Sequence, residues 1–177
     1  MTAQMNDKFI FSNVEYGISS IEYPKKYFNI NSLGLKPIEF HTACWRGYIA
    51  TYALSNGNLV LNKLYTNNGN NKYYDAPLIN NKSPKIEIPE DLCDEYKDSW
   101  KEYIYEDIGL KLNYTGSVLI TKDFVSKRYV HMGFQSPFNY NTVIQIMFNN
   151  GKLVFSEDLS KIAASLREEK NIELTNE

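Results

Sequence analysis

The chain of 177 residues is long enough for one domain, because single hydrophobic cores commonly span about 100–200 residues. Hydrophobic residues make up 43% and aromatic residues 14% of the chain, which excludes disordered, collagen-like and disulfide-scaffold proteins. Nineteen basic against 21 acidic side chains give a net charge of −2, whereas nucleic-acid-binding proteins carry an excess of Lys and Arg, so no nucleic-acid partner is expected.

The first predicted elements form a β-hairpin. Residues 39–46 are predicted as a strand that runs directly into a second strand, in which side chains at positions 48, 50, 52 and 54 share one face. Asn56-Gly57 follows, and both residues tolerate the positive φ of a type I′ turn. Residues 59–61 then return as the partner strand.

Two segments lie between the halves of the chain. Residues 66–84 are rich in Asn and other polar residues, which predicts a long mobile surface loop, either a binding loop or a tolerated insertion. Residues 89–107 begin with Pro and carry large apolar side chains every four residues, which predicts a helix.

The second half reads as an antiparallel meander from about residue 112 to 155. Residues 114–121 and 128–134 are rich in β-branched and aromatic side chains and are predicted as strands. Residues 143–148 and 152–155 flank Asn150-Gly151 and predict a second hairpin with the same turn chemistry.

A C-terminal helix is predicted to open at Ser156. Its apolar stripe consists of Leu159, Ile162, Ala163 and Leu166. Together the elements predict a single α+β domain over residues 1–177. Its main part is an antiparallel β meander, curled or barrel-like, with one internal helix and the C-terminal helix.

The cysteine count and the hydropathy pattern indicate a cytoplasmic protein. Cys44 and Cys93 are too few for a cysteine-rich zinc site, and the reduced state is favoured over a single disulfide. The first residues lack a basic stretch followed by an apolar one, so no signal peptide is predicted. No run of about 18 apolar residues occurs, so no membrane contact is predicted. No cofactor is predicted either.

The two histidines suggest one metal site. On a strand, Glu39 and His41 share a face, and His131 on a neighbouring strand would complete a two-histidine, one-carboxylate set for iron or zinc. The alternative is that both histidines are partly buried and hydrogen-bonded to backbone or tyrosine. A Cys44–His131 nucleophilic pair across strands is also open.

The most unusual cluster is Trp45-Arg46-Gly47-Tyr48, because a guanidinium among aromatic residues must be solvated, paired or stacked. Arg46 is either an anion clamp in a cavity mouth or one half of an internal arginine–carboxylate bridge. In the ligand-binding hypothesis, the residues that line the pocket are Arg46, Tyr48, Tyr52 and His131, since tyrosines offer apolar bodies with polar tips.

Residues 42–52, 114–120 and 129–134 together resemble a group of small uncharacterised bacterial cytoplasmic proteins. In that group a Trp-Arg-Gly-Tyr strand leads into a hairpin, and a Tyr-Val-His-Met-Gly strand follows it. The resemblance implies a bacterial origin and one continuous fold, and it carries no activity.

The functional expectation is a non-enzymatic binding protein. The sequence contains no nucleophile-elbow, dinucleotide-binding, P-loop, zincin or EF-hand motif. The most concrete version is an immunity-type protein that neutralises a toxin through protein–protein contact. The alternatives are a small-ligand-binding β-barrel and a metal-dependent enzyme. The oligomeric state is open.

Overall fold

A computed structural model describes residues 2–69, 75–90 and 100–175 of the chain, with side chains to residue 169. Within these ranges the chain forms ten β-strands and two α-helices, joined by short 3₁₀ turns. In chain order they are β1 (Lys8–Phe11), β2 (Val14–Ile21), α1 (Pro24–Tyr27), β3 (Tyr48–Ser55), β4 (Asn58–Asn67), β5 (Lys85–Glu87), β6 (Glu102–Tyr105), β7 (Leu110–Lys111), β8 (Gly116–Phe124), β9 (Tyr140–Asn149), β10 (Lys152–Asp158) and α2 (Ser160–Thr175).

All ten strands belong to one curled sheet. Its order is β10-β9-β8-β2-β1-β3-β4-β6-β5, with β7 added to β4. Neighbours are antiparallel except for β1 and β3, which run parallel. One further residue pair, Lys152 with Asn58, joins β10 to β4, so the sheet bends into a ring without becoming a barrel. The α+β class and the curled antiparallel meander are therefore confirmed.

Three tight hairpins set the local register. The two predicted turns are present, with φ of 49° and 73° at Asn56-Gly57 and of 49° and 77° at Asn150-Gly151. A third hairpin joins β1 to β2 through Ser12-Asn13, with φ of 50° and 62°, and was not predicted. All three pairs have both φ angles positive, as a type I′ turn requires.

The core fills the inside of the ring. The predicted common face of Tyr48, Ala50, Tyr52 and Leu54 on β3 is confirmed, and it points inward, because all four belong to or pack against this core. Its largest fully buried side chains are mostly aromatic or branched: Tyr52, Tyr103, Tyr105, Tyr114, Phe9, Leu35, Leu59, Leu61, Leu64, Ile79, Ile108 and Ile120. Many of the 14 tyrosines therefore serve as core residues.

Two predicted strands are wrong. Residues 39–46 form consecutive turns, in which the N–H of Cys44 donates to His41 O and that of Gly47 donates to Cys44 O. Residues 128–134 begin at the end of a 3₁₀ turn and continue as an irregular loop, in which Gly133 forms a bridge with Ala3. Both sequences suit a strand, but β1 and β4 occupy the two edges of β3, and β2 and β9 occupy the two edges of β8. Neither segment can therefore pair with the strand beside it in the chain.

The predicted internal helix lies partly outside the described residues, which omit 91–99. Its later part is wrong, because residues 102–105 form β6 between β4 and β5. Tyr103 and Tyr105 are both completely buried there, so a period of two overrides the four-residue spacing that suggested a helix. The C-terminal helix is confirmed, although it begins at Ser160, because β10 continues to Asp158. Within its stripe Ala163 is buried and Ile162 is exposed.

The polar segment predicted as a loop at residues 66–84 has an ordered beginning. Thr66 and Asn67 are fully buried and end β4. The Asn67 amide accepts from the N–H of Ile38 at 3.1 Å and donates to Ile38 O at 2.8 Å, which anchors the turns before β3. Residues 70–74 lie outside the described ranges.

Candidate functional site

The Trp-Arg-Gly-Tyr cluster is built around an ion pair between Arg46 and Asp7. The guanidinium meets the carboxylate at two points, Nη1 to Oδ2 and Nη2 to Oδ1, each at 3.0 Å. Asp7 Oδ1 also accepts from the N–H of Ala50 at 2.8 Å, and Arg46 Nη2 donates to Met5 O at 3.1 Å. Of the two interpretations of Arg46, the structure therefore shows the internal arginine–carboxylate bridge.

Burial dominates the electrostatics of this pair. Burial raises the pKa of the Asp7 carboxyl, and the charge of Arg46 and the Ala50 N–H lower it by less. The guanidinium also lies 4.9 Å from the ring centre of Tyr48 and 5.6 Å from that of Phe134. These cation–π contacts place the guanidinium of Arg46 against both aromatic rings.

A cavity of about 360 Å³ opens beside the ion pair. It is lined by Asp7, Ile18, Ser19, Ser20, Ile21, Pro24, Tyr27, Phe28, Arg46, Tyr48, Tyr52 and Phe134. Three of the four residues predicted to line a pocket, Arg46, Tyr48 and Tyr52, therefore line this cavity. His131 is not in this lining: it is exposed, and its ring packs edge-on against Tyr129 at 5.0 Å. Phe134 of the same loop reaches the cavity instead.

Two tyrosines of this cavity have hydroxyl groups without a partner. Tyr27 and Tyr52 are buried and pack edge-to-face at 4.8 Å, and neither hydroxyl finds a hydrogen-bond partner among the described residues. Burial and the charge of Asp7 raise the pKa of both hydroxyls, so both stay protonated and can donate. Buried polar groups are nearly always paired, and these two hydroxyls, with Asn6 Oδ1, are exceptions among the described residues.

The three residues of the predicted metal site are not brought together. Glu39 and His41 lie exposed in the turns before β3, where His41 Nδ1 accepts from the N–H of Ala43 at 3.2 Å. His131 lies in the exposed loop after β8. Within the described part of the chain, no group of three or more His, Cys, Asp or Glu side chains could hold a metal ion.

Cys44 is a buried free thiol whose Sγ donates to Tyr48 O at 3.5 Å. Burial raises its pKa, which is opposite to the shift that activates a nucleophilic cysteine. Cys93 lies outside the described residues. The geometry of Cys44 therefore gives no support to a Cys44–His131 pair.

Sequence reasoning missed Asp7, Tyr27 and Phe28. A hairpin signal that could have located β1 lies in residues 9–16, where two polar residues, Ser12-Asn13, separate two short runs rich in aromatic and β-branched side chains. Nothing comparable marks Asp7 among the 21 acidic side chains.

Comparison with protein-family models, curated proteins and solved structures finds no match for this chain. The resemblance to small bacterial cytoplasmic proteins stays a prediction. In the described ranges, no helix combines the length and the apolar character needed to cross a bilayer.

Proposed function

We propose that this protein is a non-enzymatic binding protein that holds a small uncharged ligand. The ligand would lie in the cavity of about 360 Å³ beside the Arg46–Asp7 ion pair, which we call the Arg46 cavity. The observation that carries the proposal is the pair of buried, unpartnered hydroxyls of Tyr27 and Tyr52 in the cavity lining. A buried donor without a partner costs about 1–3 kcal/mol, so two of them favour a bound acceptor group.

The chemistry of the cavity supports an uncharged, flat ligand. Its walls are mainly aromatic and aliphatic, with Phe28, Tyr48 and Phe134 among them. Asp7 and Arg46 neutralise each other, and Asp7 already accepts three hydrogen bonds, which leaves little attraction for a charged ligand. The neutral tyrosine hydroxyls select an acceptor such as a carbonyl oxygen.

The test uses acetophenone and benzamide as probes, two flat aromatic carbonyl compounds. Each is titrated into the full chain while amide NMR shifts of the cavity residues are followed. The variant Tyr27→Phe/Tyr52→Phe should bind the probes at least about fivefold more weakly, because each lost hydrogen bond contributes about 0.5–1.5 kcal/mol. The free variant should be more stable than the wild type, because each deleted hydroxyl is an unpaired buried donor that costs about 1–3 kcal/mol.

Tyr105→Phe is the matched control, because the Tyr105 hydroxyl donates to Pro77 O at 2.9 Å and lies outside this lining. It should lose about 1 kcal/mol of stability and keep the wild-type probe affinity. Absence of probe-induced shifts at the cavity, or equal binding by the double variant, contradicts the proposal.

Protein contact is a second candidate, and exposed apolar side chains around the cavity mouth favour it. Trp45 and Phe134 are 52% and 50% exposed. Residues 3–5 lie between their two loops, with Met5 N donating to Ala43 O and Gln4 N to Gly133 O. If a protein partner binds the wild type, the double variant Trp45→Ala/Phe134→Ser should lose this binding. The variant Val154→Ser, on β10, should keep it. Equal retention by both variants argues against this surface. The immunity-type role stays a prediction.

A further inference from the structure

A second cavity, of about 310 Å³, lies on the outer face of β3 and β4. Ile49 and Tyr65 line it, and they form a cross-strand pair, whereas Tyr48 and Tyr52 of β3 line the Arg46 cavity on the inner face. The full lining consists of Met5, Phe40, His41, Cys44, Ile49, Tyr65, Pro89, Trp100 and Glu102.

Aromatic rings form two walls of this second cavity. Phe40 lies flat on Tyr65, with ring centres 4.8 Å apart and planes at 7°. The ring of Trp100 stands at 71° to that of Phe40, with centres 6.1 Å apart. Phe40, Tyr65 and Trp100 all line the cavity, and an aromatic ring that presents its face to a cavity attracts a cation.

A fixed carboxylate completes the cavity. Glu102 Oε2 accepts from the Tyr65 hydroxyl, and Oε1 accepts from the indole Nε1 of Trp100 at 3.3 Å. These bonds leave further lone pairs on the carboxylate free to face a ligand. Burial and the hydrogen bond to Glu102 raise the pKa of Tyr65, so its hydroxyl stays a donor.

The neighbouring strand adds negative charge. Glu87 of β5 lies directly opposite Glu102 of β6, an arrangement that is unfavourable for two like charges. Lys85 is the ion-pair partner of Glu87, whereas no ion pair within the described ranges involves Glu102. A cation in the cavity would compensate this charge.

We propose that this second cavity binds an organic ammonium cation, with a methylated ammonium group as the chemistry that fits best. A methylated ammonium spreads its charge over methyl groups, so aromatic walls can replace its weakly held water. An inorganic divalent ion needs several oxygen ligands, and among the described lining residues Glu102 supplies the one carboxylate. This proposal uses none of the residues on which the Arg46 cavity depends.

The first experiment compares choline with 3,3-dimethylbutanol, its uncharged isostere of nearly the same shape. Both are titrated into the full chain while NMR shifts of the Trp100 indole and of the amides near Tyr65 are followed. Choline should bind at least about tenfold more tightly, because the cation–π and carboxylate attractions require the charge. Equal affinity for the two compounds, or no choline-dependent shift at about 10 mM, overturns the proposal.

The second experiment removes the charge from the site. Glu102→Gln keeps an acceptor oxygen for Tyr65 and should weaken choline binding about tenfold. Glu106→Gln is the matched control, since Glu106 is exposed, pairs with Lys63 and lies outside the lining. It should leave choline affinity unchanged.

Phe40→Leu is the second variant and tests the aromatic wall without touching the carboxylate. Phe40→Leu should weaken choline binding about fivefold. If circular dichroism shows that Glu102→Gln is unfolded, the choline affinity of Phe40→Leu tests the proposal in its place. Wild-type affinity for choline in a folded Glu102→Gln or Phe40→Leu protein overturns the proposal.

The same ammonium chemistry occurs in free metabolites and in trimethyllysine side chains. A Gly-trimethyllysine-Gly peptide, titrated beside choline, separates the two sources. Tighter binding of the peptide indicates a modified protein as the ligand, and tighter binding of choline indicates a free molecule. Either outcome supports an ammonium site if choline also binds as the first experiment requires, whereas absence of choline binding overturns the proposal.

Discussion

Replacement of Arg46 by Met should strongly destabilise the protein, because it leaves Asp7 buried without its cation. Met keeps an unbranched chain against Tyr48 and Phe134, so the loss reports on charge rather than on packing. Arg46 donates two hydrogen bonds to Asp7 and one to Met5 O. Afterwards only the Ala50 N–H holds the carboxylate among the described residues.

The magnitude follows from the burial of the two partners. The side chains of Asp7 and Arg46 are 7% and 26% exposed, so solvent screens the pair weakly. Removal of one partner from a buried ion pair typically costs about 3–5 kcal/mol, and we expect a loss in this range at pH 7.5. The exposed pair of Lys63 and Glu106 is the control, and Lys63→Met should cost less than about 1 kcal/mol.

The loss should depend on pH with a defined sign. Burial already raises the pKa of Asp7, and Arg46 is the main influence that lowers it, so Arg46→Met raises it further. A raised pKa in the folded state means that stability is present in acid and is lost as the pH rises through that pKa. The deficit of the variant should therefore be largest near neutral pH and should shrink as the pH falls.

Urea denaturation of the wild type, Arg46→Met and Asp7→Asn/Arg46→Met between pH 5 and pH 8 measures this effect. The double variant has no buried charge and should recover part of the lost stability at neutral pH. A deficit below about 1 kcal/mol at pH 7.5, or one that does not shrink in acid, refutes the reasoning.

Two further predictions concern the backbone and alkaline pH. Gly47→Ala should cost more than about 2 kcal/mol, because φ is +68° and the added Cβ would lie 1.9 Å from Ile38 O. Gly57→Ala, with φ of +73° and open space, should cost about 1 kcal/mol, and equal losses in urea denaturation refute the steric argument. Burial raises the pKa of Tyr114 to about 12, so its contribution should be lost as the pH rises from 10 to 12. Ultraviolet difference absorbance against Tyr114→Phe measures this titration, and a tyrosine of ordinary pKa at that position contradicts it.

Local chemistry explains which elements could be predicted. Asn56-Gly57 and Asn150-Gly151 adopt the positive φ of a type I′ turn at little cost. Alternating apolar residues on both sides of each pair favour strands, so a β-hairpin could be predicted at both places. The strand with Tyr103 and Tyr105 was mistaken for helix, because large side chains four residues apart satisfy both a helical and a two-residue period.

The candidate site was predictable only in part. Tyr48 and Tyr52 share a face of β3 through strand alternation, and Arg46 lies two residues before Tyr48, in the turns that precede the strand. Asp7 completes the site from the N-terminus, and His131 was wrongly expected on a strand. The positions of Asp7 and His131 relative to Arg46 depend on contacts between residues distant in sequence, which a local sequence pattern does not predict.

The amino-acid sequence by itself determined the two Asn-Gly turns, the side chains that share one face of β3 and the need of Arg46 to be solvated, paired or stacked. These depend on φ preferences, side-chain alternation and the cost of a desolvated charge, which act within a few residues. Only the tertiary structure decided which strand fills each edge and which carboxylate meets Arg46. Backbone groups are the same in every strand, so the edge of a strand can pair with any segment that the fold places beside it. The edges of β3 and β8 pair with other strands, and the adjacent residues 39–46 and 128–134 form no strand.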